Sequence, residues 1–225
     1  MWVRKGLRKM EVPEKGFTHG GKFHADDVFS AALLRYLNPQ IEIIRGFQVP
    51  EQFDGIVFDI GGGRFDHHQQ NAEVRENGVP YAAFGLLWRE AGAGIVGEAE
   101  ARRFDEKFVQ PLDLSDNTGC KNDIADIIAL YYPNWNEAQN IDTAFSEAVA
   151  WAETILRRKF LKIESIKKAA EVIGQDLDKQ KEGVAILTHH APWKQLVEHT
   201  EIEFVIYHSK RGGYCAQAVE IDDIE

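Results

Sequence analysis

Asp66-His67-His68 lies seven residues after Asp59 and downstream of a run reading His19-Gly20-Gly21-Lys22-Phe23-His24-Ala25-Asp26-Asp27. Carboxylates brought within a few ångströms of one another repel, so a cluster of them is costly unless a divalent cation sits among them. Imidazole and carboxylate together suit manganese, zinc or iron better than calcium, which prefers an all-oxygen shell. These residue types therefore point to a transition-metal centre.

The elements that must position them follow from patterning. The segment from Phe17 to Asn38 opens as a Gly-rich loop and becomes apolar at helical spacing through Val28, Ala31, Ala32, Leu34 and Leu37, a loop feeding a helix. Ile41 to Arg45 is a short β-branched run, and Gly55 to Ile60 reads as a buried strand ending in Gly61-Gly62-Gly63, with Asp59 at its C-terminal end. Ligand sites of open α/β sheets lie just beyond such strand ends. Helices are expected over Tyr81 to Ala91, from Ala99 to Val109 and on towards Asp113, over Asn122 to Tyr132, and from Asp142 to about Gly174. Strands are expected over Gly183 to Thr188, Phe204 to Ser209 and Tyr214 to Ile221, with a helix starting near Pro192 between the first two. The fold class is α/β, a mainly parallel sheet covered by helices followed by a smaller α/β lobe. Three regions are expected: a catalytic domain over 1–145, a helical connector over 146–182 and a C-terminal substrate lobe over 183–225.

Bulk properties bound the partners. A formal charge of -10 argues against gripping a long nucleic acid by its backbone, but leaves small anionic substrates open, because bound cations reverse the local field. Cys120 and Cys215 are far apart in sequence and imply neither a disulfide scaffold nor a thiolate metal site. Arg4, Lys5, Arg8 and Lys9 are followed by no apolar run, so neither a secretory signal nor a membrane span is expected, and the cytoplasm is the default compartment. A homodimer is compatible with this composition.

With these motifs in order, the chain resembles the DHH phosphoesterase superfamily, and within it the Myg family of metal-dependent hydrolases and 3′-5′ RNA exonucleases. The resemblance rests on Thr18 to Asp27, on Phe58-Asp59-Ile60-Gly61-Gly62 and on Asp66-His67-His68-Gln69; it is looser after Pro192-Trp193-Lys194. It implies a DHH-type domain with two divalent cations, manganese first and zinc, iron or magnesium as alternatives. It also implies His19, His24, Asp26, Asp59, His67 and Asp116 as metal ligands, with Asp59 bridging both cations and taking a catalytic part. Asp113 is the reserve for Asp116, which could instead cap the helix that follows. Consecutive side chains on extended backbone diverge, so with His67 on metal, His68 faces the substrate phosphate or serves as an acid. Arg211 is the candidate phosphate contact in the C-terminal lobe. Larger members continue with a glycine-rich substrate-binding segment beyond the point matching Glu225, an expectation that bears on exonuclease activity.

Plainer readings stand beside these. Asp27 reads as a helix-start carboxylate stabilised by the helix dipole. Gly61 to Gly63 serve equally as a turn or a phosphate contact. His189-His190 has no acidic neighbour and reads as a surface or cleft pair, Lys210-Arg211-Gly212-Gly213 as a charged hairpin turn, and Phe84, Trp88 and Trp151 as core. The chemistry implied is hydrolysis at phosphorus by water activated between two cations roughly 3.5 to 4 Å apart, with no side-chain nucleophile. The expected substrate is a short oligonucleotide or a small nucleotide-like phosphoester. The alternatives are a phosphoanhydride hydrolase resembling the manganese-dependent pyrophosphatases and a non-catalytic metal or nucleotide sensor.

Overall fold

A computed structural model describes residues 10–220. The basic residues Arg4, Lys5, Arg8 and Lys9 and the expected strand end at Ile221 lie outside them. The chain divides into two compact units between Lys159 and Phe160. That division falls inside one continuous helix, Ile141–Asp178.

The first unit is built on a three-stranded parallel sheet of order β2-β1-β3, formed by β1 (Lys15–His19), β2 (Glu42–Gly46) and β3 (Ile56–Val57). Around it come α1 (Ala25–Leu37), α2 (Ala83–Val96), α3 (Glu98–Phe104), a π-helical turn over Asp105–Val109, α4 (Gln110–Thr118), α5 (Asp123–Ala129) and the first half of α6 (Ile141–Asp178). The expected parallel α/β architecture is therefore present. The central strand β1 is new: only Phe17, Thr18 and His19 separate Gly16 from Gly20, too short a run to show strand periodicity, yet Phe17 and Thr18 are buried between two parallel neighbours. β3 is shorter than the run Gly55 to Ile60 because Asp59 has φ 57°, which turns the chain out of the extended conformation. A parallel bridge from Phe58 to Phe65 continues the edge.

α1 buries every residue from Ala25 to Leu34, so both polar residues of its first turn are taken out of water together with its apolar face. Its packing centres on Phe29, fully buried, with ring centroids 5.5 Å from Phe84 and 5.4 Å from Phe108 in edge or tilted contacts. Asn122 caps α5 by accepting from the backbone N–H groups of Ile124 and Ala125, so the capping role considered for Asp116 belongs to Asn122.

The second unit contains the rest of α6 and a three-stranded mixed sheet of β4 (Val184–Ile186), β5 (Phe204–His208) and β6 (Tyr214–Ala218). β4 pairs parallel and β6 antiparallel with β5. Ile173, Leu187, Trp193, Val197 and Val205 are among its core residues. The helix expected near Pro192 is a single 3₁₀ turn, Lys194–Leu196. Trp193 and Val197 anchor that turn in the core, and His199, at φ 61°, bends the chain away before a second turn forms. No helix of the described residues is long and apolar enough to cross a membrane.

Because Phe29 is enclosed by aromatic neighbours that cannot collapse into its space, Phe29→Ala is expected to lower stability by about 3 to 5 kcal/mol. Urea unfolding measures this, and a loss under about 1 kcal/mol would mean that the ring is not a core anchor.

Candidate metal centre

The site collects at the C-terminal ends of β1 and β3, where a parallel sheet leaves its crevice. His19 is the last residue of β1, Asp59 follows β3, Asp26 and Asp27 occupy the first turn of α1, and Asp116 lies near the end of α4. Asp66, His67 and His68 come from the loop that returns beside Asp59, whose backbone N–H donates to Phe65 O at 2.9 Å.

His19 Nε2 is 3.2 Å from Oδ2 of both Asp27 and Asp59. On the other side, His67 Nδ1 is 3.4 Å from Asp59 Oδ1 and His67 Nε2 is 3.0 Å from Asp116 Oδ2, while Asp26 Oδ2 lies 3.9 Å from His67 Nδ1. The two oxygens of Asp59 thus face different histidines. Three sets can each bring their ligand atoms within 4.8 Å of one another: His19, Asp27 and Asp59; Asp26, His67 and Asp116; and Asp59, Asp66, His67 and His68.

The electrostatics are those of charges crowded out of water. Burial pushes the Asp26 carboxyl well above its ordinary value, and the charges of Asp59, Asp116 and Asp113 push it further. Burial also raises Asp27, against the pull of His19. The carboxylates of Asp27 and Asp59, each 3.2 Å from its Nε2, raise His19 to about 10. Burial opposes protonation of His67, yet its bond to Asp116 and the charge of Asp59 carry its pKa above the ordinary imidazole value. Asp27 Oδ2, Asp59 Oδ1 and His67 Nδ1 are buried and make no hydrogen bond. Buried lone pairs left without donors, in a mixed imidazole and carboxylate set, fit a divalent transition metal.

Of the residues singled out in the sequence, His19, Asp26, Asp59, His67 and Asp116 converge here. His24 does not join the three sets: it precedes α1, is exposed, and its ring centroid is 6.2 Å from that of His19. Asp27 combines two roles, since Oδ1 accepts the His24 backbone N–H at 2.9 Å while Oδ2 faces His19. Its position in the first helical turn concealed the second. Asp66 was also missed as a site residue, although it directly precedes the two histidines. It accepts from the backbone N–H groups of Gly62 and His68 and lies 2.9 Å from His68 Nδ1. Burial would raise its carboxyl, but these bonds hold it below the usual range. His68 itself is 63% exposed. Arg211 belongs to the second unit, in the turn between β5 and β6, where its backbone N–H donates to Ser209 Oγ.

A family model, MYG1_exonuc, described as Uncharacterised protein family (UPF0160), matches residues 16–225. The chain belongs to this family. Its relatives include the human and mouse proteins named MYG1 exonuclease, each 26% identical over an alignment covering 96% of this chain and 72% of the relative. The MYG1 protein YER156C of Saccharomyces cerevisiae is 24% identical over 91% of this chain and 78% of its own length. No solved structure matches the chain significantly.

In this MYG1 family member the candidate ligands are braced by a network among residues distant in sequence. Asp26 accepts two backbone N–H bonds from the start of α2, Ala83 N at 3.1 Å and Phe84 N at 2.7 Å. The next N–H, of Gly85, donates to Asp113 Oδ1 at 3.1 Å. Asp113 Oδ2 accepts from the Arg75 guanidinium at 2.7 Å, and Arg75 also binds both oxygens of Asp105 and Pro80 O. Only glycine fits at position 85, because a Cβ there would lie 1.9 Å from Asp113 Oδ2. Asp113 and Asp116 share a face of α4 at i,i+3 spacing, so the clamp that docks Asp113 also aims Asp116. Asp113 is thus structural. Burial raises its carboxyl to about 7 against the opposing charge of Arg75.

Two outcomes are expected. Removing one partner of a buried ion pair leaves an uncompensated charge, so Arg75→Met should cost about 3 to 5 kcal/mol in urea unfolding, with part recovered by Arg75→Met/Asp113→Leu. A loss no larger than that of an exposed pair, at most about 1 kcal/mol, would remove the clamp from the account. Secondly, the raised pKa of His19 means that the metal-free protein holds this proton at neutral pH and a metal must displace it. Manganese affinity should therefore rise with pH between 6 and 8, by about tenfold per unit for each proton displaced. Titration calorimetry in buffers of different ionisation enthalpy counts those protons, and a count of zero would contradict the assignment of His19.

Proposed function

We propose that the chain is a two-metal-dependent hydrolase of phosphoester bonds, an exonuclease-like phosphodiesterase of the DHH phosphoesterase superfamily acting on short oligonucleotides or small nucleotide-like phosphoesters. The observation that carries this reading is Asp59, whose two oxygens address two separate histidine and carboxylate groups. A bridging ligand must be a carboxylate for that reason, and a buried Asp in a left-handed conformation at a strand end is costly enough to need a purpose. The exonuclease names of the mammalian relatives support the same class.

On this reading His19, Asp27 and Asp59 would hold one cation and Asp26, His67 and Asp116, with Asp59, the other, preferably manganese. When bound, the pair would activate water and neutralise charge developing on the phosphoryl oxygens. The protein's own contribution is orientation and proton placement. Asp26 keeps its geometry through the two N–H bonds at the start of α2. Asp66 Oδ1 would accept a hydrogen bond from His68 Nδ1–H and so fix the ring, leaving Nε2 to face the phosphate or, in the imidazolium form, to donate its own proton to the leaving oxygen.

A turnover panel with added manganese, comprising dinucleotides, short RNA, single-stranded DNA and pyrophosphate, tests the proposal. Hydrolysis of short oligonucleotides is expected. Asp59→Asn should lower both metal content and turnover, the latter by more than the roughly 10- to 100-fold typical of an outer partner. His68→Ala should retain metal and lose on the order of 10² to 10⁴ in kcat. Unchanged turnover in Asp59→Asn would refute the two-metal mechanism, and preference for pyrophosphate would move the enzyme to phosphoanhydrides.

A further inference from the structure

Phe47 is 86% exposed, unlike the buried phenylalanines of the unit's core. Lone exposed apolar residues are ordinary on protein surfaces, so exposure alone carries no meaning. The surroundings of this one do. Phe47 directly follows β2, and the O atom of Gly46 before it accepts the backbone N–H of Gly20 at 2.7 Å, tying this strand end to the residue after His19. The ring lies along the Gly20-Gly21 backbone: a Cβ at Gly20 would be 3.4 Å from Phe47 Cζ and one at Gly21 3.3 Å from its Cε1. Gly21 also has φ 79°, which side chains rarely adopt. Two residues further on, Val49 closes against the other ligand loop, its Cγ2 2.9 Å from where a Cβ of Gly61 would be. Segment 47–49 therefore spans the loops that carry His19 and Asp59 and supports an aromatic ring on a glycine floor.

We propose that Phe47 is a stacking shelf for the base of a nucleotide whose phosphate lies at the candidate metal centre; this rests on the hydrolase reading above and narrows its substrates to those carrying a nucleobase. The ring is one residue's reach from His19, since each peptide unit spans about 3.8 Å, so a phosphate beside His19 leaves the attached base within range. Stacking tolerates any base because every base has a π-face, and it needs no basic surface, in keeping with the net charge of -10. Gly20 and Gly21 keep the floor flat, and a Cβ at either would crowd the edge of the ring.

The test uses the full chain loaded with manganese and compares, by calorimetry, the affinities for adenosine 5′-monophosphate and ribose 5-phosphate, which differ only in the base. The parent should prefer the nucleotide by about tenfold or more, Phe47→Trp should keep that preference, and Phe47→Ala should bring the ratio close to one. A ratio unchanged in Phe47→Ala, no base preference in the parent, or no binding of either ligand overturns the shelf. Failure of the hydrolase reading is separately visible: a Phe47-dependent base preference without turnover on any phosphoester would uphold the shelf and refute catalysis.

Discussion

Three carboxylates, Asp26, Asp27 and Asp59, are buried side by side at the open end of a parallel sheet, and the rest of the first unit is arranged around their mutual repulsion. No packing gain makes such a cluster favourable by itself, because each ionised group has lost its water and gained a like-charged neighbour. Three devices make it tolerable. His19 and His67 stand between the carboxylates as proton carriers, backbone N–H groups at the start of α2 bind Asp26, and buried lone pairs are left over for a cation. The first two are built into the fold. The third ties the chemistry of the site to the same electrostatic requirement that shapes it.

That requirement explains why α2 and α4 meet as closely as they do. The N-terminal N–H groups of α2 are shared between Asp26 on α1 and Asp113 on α4, which joins three helices at one helix terminus. A helix N-terminus favours negative charge, so two carboxylates from different helices both gain by approaching it. Their approach requires glycine at position 85 and a cation behind Asp113, supplied by Arg75. The carboxylates of the candidate site are thereby positioned by a framework whose own charges are compensated within the fold, while Asp59 and Asp27 retain oxygens without hydrogen bonds.

Much of the site was legible because its residues come in short runs of chemically unusual types. Asp66-His67-His68 and His19 to Asp27 stand out by composition, and Asp59 by its place after an apolar run. Asp27 and Asp66 were harder to read, since a helix-start carboxylate and a loop carboxylate have common structural roles and both residues perform those roles as well. Arg75, Gly85 and Asp113 lie apart in sequence and have no motif, and their partnership exists only where α2 and α4 pack. In the fold, helices α1, α2 and α6 announced themselves by long periodic patterns. The central strand β1 did not, because a buried strand of five residues flanked by glycines has too few positions to display a period. The helix expected after Pro192 failed for the opposite reason: local signals allowed several turns, but burial of Trp193 and Val197 needed only one.

The sequence by itself determined the class of fold and most of the histidines and carboxylates of the candidate site, because hydrophobic periodicity and the chemistry of imidazole and carboxylate are properties of residue type and short-range order. Which oxygen faces which histidine was decided only by tertiary structure, as was the exchange of places in which Asp27 stands beside His19 and His24 remains outside. Those outcomes depend on where α1 begins relative to the end of β1, on the left-handed turn at Asp59 and on the clamp between α2 and α4. Each is a balance of burial, strain and charge among groups distant in sequence, and no local pattern records that balance.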